Sequence, residues 1–424
     1  MAPTRIPGLV LTDHVVDVPL DHAHPEDGRT IEVFAREVVA TGKEGDDLPW
    51  MVFLQGGPGG KSPRPSSGGG GWLSHATKTH RVLLLDQRGT GRSTPLTRLR
   101  VRGWSDEEIA AYLRLHRADS IVRDAEVLRD RLAGGQKWST VAQSYGGWVT
   151  MTYLSTAPQA LEACYVFGGL PGLTATADDV YARTYPRVAA KNAEYHRRFP
   201  EDVARVRRIA DHLREHHVEL PGGDRLTARR LRLLGGSFGM ADGYDRLHWL
   251  FDEAWHGAEL SDLFLAGVEF VTGHVEGPLF ALQEYIYGQP GSGASAWAAE
   301  RAMAKRPEFA EDHEPLLFTG EMFFSWMFEE IRALRPFRGA ADLLASAEDW
   351  GPLYDVDRLA RNDVPVLAIV YFDDMYVDSG LQLDTASRVG NVRTWVTNEY
   401  EHDGLRVDGA RILERLMEMR AGRV

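Results

Sequence analysis

A serine set among small residues can act as a nucleophile when the chain turns sharply enough to expose its hydroxyl. Ser144 has that setting in the run VAQSYGG (141–147), with Ala142 two residues before it and Gly146 two after it. A strand-to-helix turn at this point exposes Oγ. It also puts the Tyr145 N–H at a helix start, where it can stabilise an oxyanion. The usual spelling of such a turn is G-x-S-x-G, and here Ala142 replaces its first glycine. A serine that only caps a helix fits the same local pattern, so the decision falls to its neighbours.

The run LQGGPGG (54–60) directly follows an apolar stretch. A glycine-rich turn there can aim a backbone N–H into the same site from the opposite side. The expected oxyanion donors are the N–H groups of Gly57 and Tyr145. An ordinary flexible loop is the plain alternative. Phosphate binding is excluded, because neither a GK[ST] ending nor G-x-G-x-x-G spacing is present. In DQRGTGRS (86–93), Asp86 and Arg88 are expected in a buried ion-pair or capping network that shapes the adjacent turn.

A serine nucleophile needs a base and an acid that orients the base, here in the chain order serine, acid, histidine. The run FDDMYVD (372–378) offers Asp373, Asp374 and Asp378. Asp374 is the expected acid. Asp373 is one residue off and points elsewhere, and Asp378 lies too far along the loop. Of the 15 histidines, His402 in NEYEHDG (398–404) occurs where the base belongs, after the last strand-like run. It would take the proton of Ser144 and return it to the leaving group, with Asp374 fixing the tautomer. No H-E-x-x-H run is present, so a metallopeptidase is not indicated, and neither metal nor cofactor is expected. A serine rather than an aspartate at the turn argues against an aspartate nucleophile.

The elements that must hold these residues are legible from patterning. Residues 30–36, 50–54, 81–86, 138–143, 161–167, 364–371 and 392–397 read as strands. Residues 120–132 have helical spacing, a helix of about a dozen residues is expected between 143 and 161, and 410–420 reads as a closing helix. The glycine- and proline-rich stretch 56–71 reads as a mobile loop. From about 174 to 345 the chain is rich in helix formers, aromatics and charges, with few strand-like runs. Strands on either side of a helical middle imply an α/β core, residues 1–173 and 346–424, interrupted by a helical insertion at 174–345.

With 48 basic and 61 acidic residues the net charge is −13, which argues against a nucleic-acid partner. The arginine-rich run at 191–217 interleaves acids with its bases, so it reads as a solvated helix face. The lone Cys164 permits no intrachain disulfide and reads as a buried, inert thiol. The start lacks a secretory signal, and no apolar run is long enough to span a membrane. A cytoplasmic protein with no membrane association is expected.

The GGPG loop (56–59), the segment DQRGTGRS (86–93) and AQSYGG (142–147) together resemble the proline iminopeptidase (prolyl aminopeptidase) family of serine peptidases. The late runs YFDDMYVD and VTNEYEHDGLR are similar to those of its larger members, so the resemblance covers most of the chain. Ala142, and Gln55 where histidine is frequent, depart from the family pattern. The resemblance implies an α/β-hydrolase fold, a mostly parallel sheet flanked by helices with an inserted helical cap over the site. It implies removal of N-terminal proline from small peptides. It also implies that cap glutamates, Glu284 in LQEYIYG and Glu321 in TGEMFF, bind the cationic amino terminus. Phe323, Phe324 and Trp326 would offer an apolar slot for the pyrrolidine ring. An esterase or other amide hydrolase on the same scaffold, or a non-catalytic ligand receptor, is the alternative.

Overall fold

The computed structural model describes residues 2–275 and 277–424. Among the described residues, nine strands form one sheet: β1 (Thr4–Ile6), β2 (Leu9–Pro19), β3 (Thr30–Ala40), β4 (Trp50–Leu54), β5 (Arg81–Leu85), β6 (Trp138–Gln143), β7 (Leu161–Phe167), β8 (Val366–Tyr371) and β9 (Val392–Thr397). Their spatial order is β1-β2-β3-β5-β4-β6-β7-β8-β9. The first three strands and the β3–β5 pair run antiparallel, and every pairing from β5 to β9 is parallel.

The central strands are short and buried along nearly their whole length because helices cover both faces. Side chains alternate between the faces with the period of two that a pleated strand imposes. Val52, Leu54, Leu83, Leu85, Ala142 and Val166 join one core, which also takes in the helices Ala118–Ala133 and Gly146–Thr156. Met51, Phe53, Leu84, Val141, Tyr165 and Phe167 join the other, beneath Gly71–Ala76 and Gly404–Arg420. Cys164 is buried in the first core, and burial pushes its thiol up to about 12, so it is inert at neutral pH.

The expected strands are present, with ends shifted by a few residues. The sheet also contains β1 and β2, which carry no motif. In β2 the inward positions are clear only at its two ends, and its middle is partly exposed, so the alternation is blurred. The closing helix begins at Gly404 rather than Ala410, with non-helical backbone at Asp408 marking a kink between two segments.

Among the described residues, no strand of this sheet occurs between β7 and β8. That stretch is mainly helical, led by Ala177–Arg198 and Glu201–Glu215, and adds two small hairpins, Val218–Glu219 with Arg225–Leu226 and Trp255–His256 with Glu259–Leu260. Thr176 caps the first helix reciprocally with Asp179. The arginine-rich run lies on these two helices. Arg198, Arg205, Arg207 and Arg214 each pair with a nearby carboxylate, as expected of a solvated face.

Candidate active site

The parallel strands all deliver their carboxyl ends to one edge of the sheet, where open α/β sheets place their ligand sites. Leu54 of β4 leads into Gly56 and Gly57, Gln143 of β6 into Ser144, Tyr371 of β8 into Asp374, and Thr397 of β9 towards His402. Residues remote in sequence meet here because their strands are neighbours.

Ser144 has φ +51°, a left-handed conformation that costs a side chain strain and marks a forced turn. Its N–H donates to Phe167 O at 3.0 Å, and its carbonyl accepts from the Gly147 N–H at 2.7 Å. The turn fits because its neighbours lack side chains. A Cβ on Gly146 would lie 2.1 Å from Leu54 O, and one on Gly147 would lie 1.8 Å from Gly169 O. At the other end of the motif, Ala142 is buried opposite Leu54 in the β4–β6 register. The methyl is accommodated where the usual glycine would be.

Gly57 and Tyr145 lie on the two loops that flank Ser144. Among the described residues, neither N–H has a hydrogen-bond acceptor. Tyr145 opens the helix Gly146–Thr156, so its N–H lies at the positive end of the helix dipole.

Asp374 is fully buried, and His402 nearly so. His402 Nδ1 lies 2.6 Å from Asp374 Oδ2. A carboxylate oxygen only accepts, so Nδ1 carries the proton and Nε2 is left as the basic nitrogen. Burial disfavours the imidazolium, but the charge and hydrogen bond of Asp374 together with the Glu321 and Asp403 charges outweigh it, and the His402 pKa is raised above its ordinary value. Asp373 is exposed. Asp378 is committed elsewhere: it accepts the Leu381 N–H at the start of the helix Ser379–Arg388 and pairs with Arg187 at 2.6 Å.

The stretch between β7 and β8 contacts this pair and its loop. Gly239 O accepts the His402 N–H at 3.1 Å, and the Tyr376 hydroxyl donates to Gly236 O. The Tyr376 ring stands edge-on to His402 with centroids 4.9 Å apart. Nothing in the sequence singled out Tyr376, because its role depends on a contact across 26 residues of chain.

Glu321 and Tyr376 line a cleft of about 290 Å³, together with His274, Phe280, Phe323 and Met327. Burial pushes the Glu321 carboxyl up to about 7, against the pull of His402 and Gln283, while repulsion from Asp374 adds to the rise. Glu284 is buried and its carboxyl is likewise raised by burial. Its oxygens accept the Ala298 and Ala299 N–H groups at 3.1 and 3.0 Å. Burial raises the Tyr181 hydroxyl well above its ordinary value, and the charges of both glutamates add to the rise. Of the three expected slot aromatics, Phe323 lines the cleft, whereas Phe324 and Trp326 stack on each other at 5.7 Å. The slot is completed by Phe280 and by His274, a histidine at φ +51° that burial holds neutral with a pKa of about 4.

Asp86 and Arg88 are structural, though they do not pair with each other. Asp86 binds Arg64 and the Ser62 and Arg92 N–H groups, whereas Arg88 binds Asp124 through two hydrogen bonds. A wider recess of about 800 Å³ along Glu201–Glu215 contains none of the site residues. Among the described residues, no group of His, Cys, Asp or Glu is placed to hold a metal, and no helix is long and apolar enough to cross a membrane.

Residues 49–230 match the alpha/beta hydrolase fold family. A proline iminopeptidase of Aeromonas sobria is 45% identical over 414 residues, covering 97% of each chain. A proline iminopeptidase of Aspergillus aculeatus is 35% identical over 422 residues, covering 96% of this chain and 93% of that one. At such identity, sustained over nearly the full length, the chain belongs to the proline iminopeptidase family and has its α/β-hydrolase fold.

Proposed function

We propose that this protein is a serine aminopeptidase that releases N-terminal proline from small peptides, with Ser144, His402 and Asp374 as its triad. The observation that carries the reading is the buried Asp374–His402 pair, 2.6 Å apart; it is supported by Gln143, next to the strained Ser144 turn, which donates to His402 O at 3.2 Å, and by Glu321, whose charge acts on His402. The two relatives named above supply the substrate class.

In this reading His402 Nε2 takes the Ser144 proton as Oγ attacks the prolyl carbonyl. The tetrahedral oxyanion rests on the Gly57 and Tyr145 N–H groups. His402 then protonates the leaving amine, giving an acyl-enzyme and the shortened peptide. Water, deprotonated by His402, attacks the ester; proline leaves and Ser144 regains its proton. Residues 174–345 act as the cap. Glu321 and Glu284 give the cationic secondary amine a carboxylate environment that water would otherwise supply. Glu284 does so while its oxygens stay fixed by the helix start at Ala298 and Ala299.

The test is a panel of aminoacyl arylamides run beside simple aryl esters. Rapid cleavage of the proline amide is expected. Cleavage of esters alone would replace the peptidase reading with an esterase.

A further inference from the structure

The cleft beside Glu321 reaches the surface at Arg246 and Val271. Of the residues that line it, Arg246 and Val271 are exposed, and the rest are buried or partly buried. Val271, 40% exposed, lies in the last turn of the helix Asp262–Thr272. That helix is apolar on both sides. Phe264 and Val268 face the protein and are buried, while Leu263 and Phe270 face outward at 64% and 91% exposure. Val275, 78% exposed, lies just past the helix. Its Cγ2 is 3.7 Å from where a Cβ on Gly273 would sit, which places it beside the end of the helix. A surface helix normally turns a polar face to water, and clustered apolar side chains at such exposure mark a contact surface.

An aminopeptidase must enclose the N-terminal residue, so the remainder of the peptide leaves through the mouth of the cleft. We propose that Val271, Phe270 and Val275 form a leaving-group subsite for apolar side chains of the residues that follow the N-terminal proline. This rests on the aminopeptidase reading above. The substrate is the occupant because Val271 belongs both to the cleft wall and to the exposed stripe, which makes the apolar surface continuous with the site. An extended peptide advances about 3.3–3.6 Å per residue, so a side chain held at the mouth belongs to one of the first few residues after the proline. The subsite thus assigns a substrate class: short peptides that begin with proline and continue with apolar residues.

The experiment measures kcat/KM for peptides Pro-Xaa-Gly, with Xaa as Phe, Leu, Ser or Asp. Each value is divided by that for prolinamide, which has no leaving side chain. The unmodified protein is expected to favour Phe and Leu over Ser and Asp by roughly tenfold, the scale of one partly buried apolar side chain. In Phe270→Ser and Val275→Ser the preference is expected to shrink to about twofold. Equal treatment of all four peptides, or an undiminished preference in both variants, overturns the subsite. Sedimentation of the same variants covers the competing occupant: loss of a dimer with selectivity unmoved would make the stripe a self-association face and overturn the proposal. Failure to cleave prolinamide at all is a separate result, which removes the aminopeptidase reading and the subsite with it.

Discussion

Asp374 holds His402 with one carboxylate oxygen and its own loop with the other. Oδ2 meets His402 Nδ1 at 2.6 Å, while Oδ1 accepts the Tyr376 and Val377 N–H groups at 2.8 and 3.0 Å. The acid is therefore oriented by the backbone that follows it, and the imidazole is oriented by the acid. Asp374→Asn cannot satisfy both sides, since its amide nitrogen must face either the two N–H donors or Nδ1–H. We expect kcat to fall by on the order of 10⁴, as in a related triad where asparagine selects the wrong tautomer. Asp373→Asn, at an exposed position, should be close to neutral. Asp378→Asn should lower the melting temperature through its helix start and Arg187 pair, yet leave kcat largely intact. A folded Asp378→Asn protein without activity would show that the acid has been misassigned.

Ser144→Ala should abolish hydrolysis, with kcat lower by on the order of 10⁶ and a small residue from binding and the oxyanion donors. The thermal melt should not drop, because alanine keeps the backbone contacts to Phe167 and Gly147. Substantial turnover by this variant would remove Ser144 as nucleophile.

Glu321→Gln should raise KM for substrates with a free N-terminal proline. The neutral amide keeps an acceptor oxygen but turns a charge-assisted bond into an ordinary one, losing very roughly 1–3 kcal/mol of binding. Glu284→Gln should do the same and also destabilise the protein, since its carboxylate serves the Ala298 and Ala299 N–H groups. Both variants should still label with a small organophosphonate at Ser144. N-acylated proline amides should be poor substrates of the unmodified protein; equal cleavage of acylated and free forms would contradict the role given to these glutamates.

The same carboxyl gives the protein a pH signature. Burial raises Glu321 from an ordinary 4.5 to about 7, so it binds a proton more tightly folded than unfolded. Stability linked to that proton is full below about pH 4.5 and is lost as pH rises through about 7. Glu321→Gln lacks this loss and should be more stable than the unmodified protein at pH 8, by on the order of 2–4 kcal/mol, and near parity at pH 4. Catalysis runs the other way. As pH falls through about 7, Glu321 takes up a proton and KM for prolyl substrates should rise, whereas KM of Glu321→Gln should stay flat. Matching stability profiles for the two proteins would show that Glu321 does not carry a buried charge.

The motif residues were legible in the sequence because each follows a local rule. Ser144 is flanked by small residues, Gly57 follows an apolar strand, and His402 comes after the last strand. Those rules depend on backbone sterics and chain order, which one dimension records. β1 and β2 escaped because neither carries a motif and the middle of β2 is only half covered.

The sequence by itself determined strands β3 to β9, the tight glycine-dependent turn and the chain order of the candidate serine, acid and histidine, since short-range sterics and two-residue periodicity fix all of these. Among three aspartates it favoured Asp374 by position along the loop. The folded chain gives each a distinct environment: Asp374 is buried against His402, Asp373 faces water, and Asp378 caps a helix. Tertiary structure likewise decided that Phe324 and Trp326 stack on each other while His274 and Phe280 line the cleft, and that Glu321 carries a raised pKa while Glu284 holds a helix start. The physical reason is common to these cases. Desolvation and hydrogen-bond partnership depend on what the rest of the chain brings within a few ångströms, and no local pattern encodes that.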